Sequence, residues 1–269
     1  MNPLPTLSHK TKYNDQWQHS SAHLRSQGCY EWMAEQLDDL KPRKILDIGC
    51  GSGNGLLALI SRYNPTTLIS LEENIDCIDS TVDALAHAGQ QPVAHLRLSY
   101  EFDAANTYRL FCSDQPVELD SGLSIIQTDL ARPDALLSAA LEQEAPFDAI
   151  TVWLMGTDAH ALQNFGISPG DYRWRIHRRI CELADRLLRP GGWIQIVDRS
   201  TFPLTNELQR GLVDDYKELL ESTRLEFLKF SNRPYEETGD GGIPMVRASG
   251  IVAPQSQMGL NSMISWLRQ

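Results

Sequence analysis

Lys44-Ile-Leu-Asp47-Ile-Gly49-Cys-Gly51-Ser-Gly53-Asn-Gly55 is the stretch whose reading decides the fold. It opens as a short apolar run suited to a buried strand. Glycines at alternate positions then let the backbone turn tightly and come close to a ligand. Leu56 to Arg62 continues as a helix, stopped near Asn64-Pro65, and its first N–H groups are free of helical partners. Strand, glycine-rich turn and helix in that order place a nucleotide-like ligand at the carboxyl end of the strand.

The same alternation runs on from there. Thr67 to Leu71 reads as a strand and Asn74 to His87 as a helix. Ser124 to Gln127 and Ala149 to Val152 read as strands, with a helix over Pro133 to Gln143 between them. An Arg-rich helix from Tyr172 to Leu188 leads through Pro190-Gly-Gly192 into the strand Trp193 to Val197. A helix over Asn206 to Ser222 and a strand over Leu225 to Phe230 follow. Short apolar strands between amphipathic helices imply an α/β fold with a doubly wound, mostly parallel sheet covered on both faces.

Three segments stand outside the alternation. Ser20 to Leu40 is one helical pattern, ended by Lys41-Pro42, and residues 1–40 are expected to form a helical cover on a domain spanning 41–269. In the insert 91–123, Ala94, Leu96, Leu98, Tyr100 and Phe102 alternate with polar residues, which predicts a half-buried strand. Tyr108 to Cys112 is its expected return, making an inserted hairpin. The glycine-rich stretch 235–250 is expected to be a mobile loop, and either segment could cover a substrate.

Composition removes several classes. The 269 residues carry 35 acidic and 24 basic side chains, a net charge of −11, so nucleic acid and anionic membrane surfaces are disfavoured partners. The basic exception is Arg173, Arg175, Arg178, Arg179, Arg186 and Arg189, on a helix whose apolar stripe (Ile176, Ile180, Leu183, Leu187) leaves most of them on a solvated face. No apolar run approaches the roughly 18 residues of a membrane span, and Met1 to Lys12 lacks a leader's apolar core. Five scattered cysteines, none at C-x-x-C spacing, suggest neither a disulfide framework nor a zinc cage. A reduced, cytoplasmic protein without metal is expected.

A dinucleotide site fits poorly, because G-x-G-x-x-G spacing begun at Gly49 ends on Asn54 and begun at Gly51 ends on Leu56. With Asp47 two residues ahead, the run instead resembles the first motif of class I S-adenosylmethionine (SAM)-dependent methyltransferases. Glu72, closing the second strand, matches that family's ribose-binding acid and stands about twenty residues past the glycines, as ribose recognition requires. Gln127-Thr-Asp129-Leu130 matches the acidic residue that contacts the adenine amino group. Phe147-Asp148-Ala-Ile-Thr-Val152 and Leu187-Leu-Arg-Pro190-Gly191-Gly192-Trp193 resemble the fourth strand and the turn into the fifth.

The resemblance implies a seven-stranded Rossmann-like sheet, SAM as cofactor and S-adenosylhomocysteine (SAH) as product. It implies cofactor contacts from Asp47, Gly49, Cys50, Gly51, Gly53, Glu72, Glu73, Asp129, Leu130 and Trp153. Two of these have a plainer reading: Trp153 as a core residue, and Asp129 as a cap for the helix at Pro133. Asp148, ahead of its strand, is expected to be structural.

Methyl transfer from a sulfonium is an in-line displacement by an already activated reagent, so the protein mainly aligns the acceptor and excludes water. A base is needed only where the acceptor's proton must leave early. After the fourth strand, His160 is the first candidate base, with Asp158 as partner or alternative, and Asp198 and Arg199 point at the same cleft. Tyr13, Trp17, His19, His23 and Arg25 are placed to close over SAM, with Arg25 a candidate for its carboxylate. The Asn/Asp-Pro-Pro-aromatic motif of nucleic-acid amino methylation is replaced by Trp153-Leu-Met-Gly156. A small-molecule acceptor, methylated on O or N, is expected. The alternatives are a protein or RNA methyltransferase and a non-catalytic SAM-binding regulatory module, and a homo-oligomer stays open.

Overall fold

The structure is a computed structural model that describes residues 4–102, 108–119, 122–132, 134–156, 166–237, 246–247, 250–251 and 257–268. The chain opens with helices α1 (Leu4–Ser26) and α2 (Cys29–Glu35). The sequence read one helix here, but Gly28 takes a left-handed φ of 67° and breaks it in two. Next come β1 (Lys44–Ile48), α3 (Asn54–Tyr63), β2 (Thr67–Glu72) and α4 (Ile75–His87). The insert gives β3 (Val93–His95), β4 (Leu98–Phe102) and β5 (Tyr108–Cys112). β6 (Leu123–Gln127), α5 (Ala135–Glu144), β7 (Phe147–Trp153), α6 (Pro169–Leu187) and β8 (Leu188–Thr201) resume the alternation. The chain closes with α7 (Asn206–Leu220), β9 (Leu225–Glu236), the short pair β10 (Val246–Arg247) and β11 (Gly250–Ile251), and β12 (Gln257–Leu267).

Eight strands form the main sheet in the order β3-β6-β2-β1-β7-β8-β12-β9. From β3 to β8 every pairing is parallel, while β12 runs antiparallel to both β8 and β9. The core order β6-β2-β1-β7-β8 is the 3-2-1-4-5 of doubly wound nucleotide-binding folds. The strand count is eight rather than the expected seven. The period-two run of the insert divides at Leu96-Arg97, and its first part joins the sheet edge as β3. Leu96 is 61% exposed, whereas Arg97 is buried against Asp134 and the carbonyls of Ser113 and Gln115. The remainder, β4, pairs antiparallel with β5 as the expected hairpin.

Each face of the sheet carries its own apolar core. On one, Leu46, Ile48, Ile150, Ile194 and Ile196 meet α5, α6 and α7; on the other, Ile45, Leu68, Ile125 and Ile264 meet α1 to α4. Each large aliphatic side chain buried this way contributes about 1.5–3 kcal/mol. Asn74, Asp134, Ser168 and Thr205 cap four of the helices with their side chains. The cap of α5 is therefore Asp134, not Asp129. At the amino edge, Asp148 accepts from the Arg43 and Lys44 N–H groups and from Arg189, a structural position as expected. Most of the glycine-rich stretch 235–250 lies outside the described residues. Among the described residues, no helix is long and apolar enough to cross a membrane.

Candidate active site

Strand order reverses between β1 and β7, and the crevice at their carboxyl ends is where doubly wound sheets bind ligands. The glycine turn follows β1 directly. Gly49, Gly51 and Gly53 hold φ values of 88°, 55° and 80°. A Cβ on Gly51 would lie 2.1 Å from Trp17 Nε1, and one on Gly53 would lie 3.2 Å from the Thr81 backbone. Conformation and close approach both exclude a side chain at Gly51.

Two carboxylates brace this turn. Asp47, 3% exposed, accepts from Thr151 Oγ1 at 2.7 Å and Ser70 Oγ at 3.0 Å, which ties β1 to both neighbouring strands. Burial pushes its pKa up to about 6, against the pull of those two hydroxyls. Glu72, at the end of β2, accepts from the N–H groups of Gly51 (3.1 Å), Glu73 (2.9 Å) and Asn74 (2.9 Å). Burial pushes its pKa up to about 7, opposed by those backbone donors. An ionised carboxylate accepts about four hydrogen bonds, and the fourth donor here is only the weak Cys50 thiol at 4.0 Å from Oε2, which a ligand hydroxyl can displace.

The other sequence candidates fall around this pair. Cys50 is buried beside Glu72, and desolvation raises its thiol pKa. Glu73 follows Glu72 at the rim, and its carbonyl faces Gln127. Asp129 is buried and turned onto its own loop, accepting from Ala131 N at 2.8 Å and Arg132 Nε at 3.1 Å. Leu130 packs against the core under α5 and α6. Trp153, 4% exposed, donates to Gln195 and stands against Gly55 in the layer beneath the turn. His160 and Asp158 lie outside the described residues.

Helix α1 lies across the turn. Ser21 Oγ accepts from Ser52 Oγ (2.6 Å) and Asn54 Nδ2 (2.8 Å), which leaves its own proton for Tyr30 OH at 2.6 Å. Asn14 and Gln18 both donate to Ser80 of α4. Arg25 bonds Asn54 at the head of α3, and His23 contacts the carbonyl of Glu236, while His19 is exposed. The Tyr13 hydroxyl lies 2.1 Å from where a Cβ on Gly156 would be, so Tyr13 reaches from α1 to the loop after β7. Its phenol pKa is raised by desolvation first, then by Cys77 and Glu72, with Arg199 and Arg173 opposing.

Beyond Tyr13 the crevice is lined by charged side chains. Arg173 of α6 bonds Asp198 at the end of β8. Arg199 reaches Glu237 at 3.4 Å, and the Tyr235 hydroxyl donates to the same carboxylate at 2.9 Å. Sequence reasoning singled out Asp198 and Arg199 but missed Arg173 as a crevice residue, having assigned most of the α6 arginines to solvent. The signal was available, since Arg173 shares a helical face with the apolar Ile176 and Ile180. Arg186 and Arg189 do pair at the periphery, with Glu142 and Asp148.

Sheet order and glycine turn make a Rossmann-like α/β domain, and the chain is similar in sequence to a curated methyltransferase. That relative is the malonyl-[acyl-carrier protein] O-methyltransferase of Methylovorus sp. (strain MP688). It is 25% identical over 215 residues, which cover 74% of this chain and 67% of the relative. Among solved structures, a Bacillus halodurans C-125 protein assigned as a methyltransferase matches with TM-score 0.49 at 13% identity, over 89% of this chain and 99% of its own. TehB from Haemophilus influenzae matches with TM-score 0.45 at 15% identity, over 88% and 62% of the two chains. No family model matches the chain.

Proposed function

We propose that the chain transfers a methyl group from SAM to an oxygen or nitrogen of a small molecule in the cytoplasm, leaving SAH. The single observation that carries this reading is Glu72, fixed by three backbone N–H groups beside Gly51, with only the weak Cys50 thiol for a ribose hydroxyl to displace. SAM, once bound, supplies a methyl group already activated on a sulfonium. The protein's task is then to hold, orient and keep water out. Gly49, Gly51 and Gly53 bring the backbone against the cofactor, Asp47 braces the turn, and Cys50 and Glu73 flank Glu72, while Trp153 supports the turn from beneath and Asp129 and Leu130 shape the loop after β6. The Tyr13 and Trp17 rings, standing over Gly156 and Gly51, close it from above.

His160, with Asp158 beside it in sequence, is the proposed base for an acceptor hydroxyl. The curated relative is named an O-methyltransferase, which supports oxygen as the acceptor atom. The test is a screen of metabolites for SAH release by the purified chain, followed by His160→Ala on the acceptor found. Turnover should fall about 10²-fold or more while SAM affinity holds. Equal losses in both would remove His160 as a base, and SAH binding without release from any acceptor would favour a regulatory module.

A further inference from the structure

Arg173 and His177 lie one helical turn apart on α6, and spacing by four puts them on the same face. Arg173 bonds Asp198 at the carboxyl end of β8, so this face turns toward the crevice. His177 is 6% exposed, and its Nε2 has no hydrogen-bond partner among the described residues. Native proteins seldom leave a buried polar atom so, since its lost hydration goes uncompensated. Burial, and then the Arg173 charge, hold the imidazole neutral, with its pKa lowered to about 3. A second unfavourable feature lies alongside. After desolvation, the Arg199 guanidinium is what holds the Arg173 pKa down to about 10, so two like charges face one another here. Asp198 and Glu237 answer each guanidinium, which carries five donors.

An anion at this place relieves both features. We infer that the bank beyond Tyr13 is the acceptor subsite and that it takes a carboxylate, with Arg173 binding the anionic oxygens and His177 Nε2–H donating to one of them. The inference rests on the methyl-transfer reading and adds the acceptor's chemical class to it. No bond is made or broken at these residues, which anchor and orient the acceptor while the methyl group crosses from the cofactor side. A neutral imidazole suits that task, because it donates one hydrogen bond without titrating as the anion enters.

The test uses ¹⁵N-histidine-labelled full chain saturated with SAH, titrated with acetate and with its neutral isostere acetamide. Acetate should shift one histidine resonance, assigned by its loss in His177→Gln, and acetamide should bind about tenfold more weakly or less. Arg173→Gln should abolish the acetate shift while calorimetry finds SAH affinity unchanged, and Arg173→Lys should restore part of it, which excludes simple misfolding. Equal responses to acetate and acetamide, or an acetate shift that survives Arg173→Gln, would overturn the subsite. Failure of SAH to bind would instead strike the methyl-transfer reading, and the same acetate contrast on the ligand-free chain would still decide the subsite.

Discussion

The two banks of the crevice are built from different materials. On the β1–β2 side, backbone N–H groups, glycines, the buried Asp47 and the half-buried Glu72 make the surface, and Glu72 alone collects three main-chain donors. On the β8 side, long charged side chains from α6, β8 and the end of β9 make it, joined by contacts such as Arg199 to Glu237 at 3.4 Å. The first bank is fixed by the course of the chain. The second is fixed by side-chain identity, so single substitutions can retune it without disturbing the fold. Tyr13 stands between them and feels charges from both.

Four substitutions can break or sharpen that contrast. Gly51→Val carries the largest expected effect, because its side chain meets Trp17 and its φ of 55° is strained for valine. SAH binding by calorimetry should fall about 10²-fold or more, the equivalent of the roughly 3 kcal/mol such a clash costs. Ser21→Ala comes next. It strips a buried hydroxyl that Ser52, Asn54 and Tyr30 share, and should lower stability by about 1–3 kcal/mol in urea titration.

Asp47→Asn should act through pH. The native carboxyl titrates near 6, above its ordinary 3.8, so the folded state holds a proton that the unfolded state has released. The stability associated with that proton is full below about pH 4 and is lost as pH rises through 6. Glu72 adds the same sign between about 4.5 and 7. The Asp47→Asn variant should therefore show a flatter fall in Tm between pH 4 and 6 and a higher Tm at pH 8, by about 2–4 °C per kcal/mol recovered. An unchanged pH slope would contradict the assigned burial. Asp198→Asn is expected to be mildest. It loosens Arg173 on the second bank, should leave SAH affinity within about twofold, and costs about 0–1 kcal/mol for a partly exposed pair. A large loss of SAH affinity there would mean that the two banks are not separable.

Legibility followed the same division. Glycines, Glu72 and the strand alternation are local signals, so β1, β2, β6, β7, β8 and their helices could be read from short windows. β12 could not. Its Asn261, Ser262 and Ser265 look like surface residues, yet all are buried, with partners on Asn232, Gln195 and Tyr216 that are distant in sequence. β3 was merged with β4 because periodicity does not register a change of sheet at Arg97, which depends on a buried pair with Asp134. His177 reads as one more polar residue in an Arg-rich helix, and only its packing isolates Nε2. Sequence reasoning placed the candidate base at His160 instead, in a stretch outside the described residues.

The central claim is that Glu72, held by the turn, binds the cofactor ribose. Its most direct test is isothermal titration of SAH into the native chain and into Glu72→Ala. Native binding with a loss of about 10- to 100-fold in the variant, the range of a charge-assisted hydrogen bond, is the expected result. Equal SAH affinity in the two proteins would contradict it.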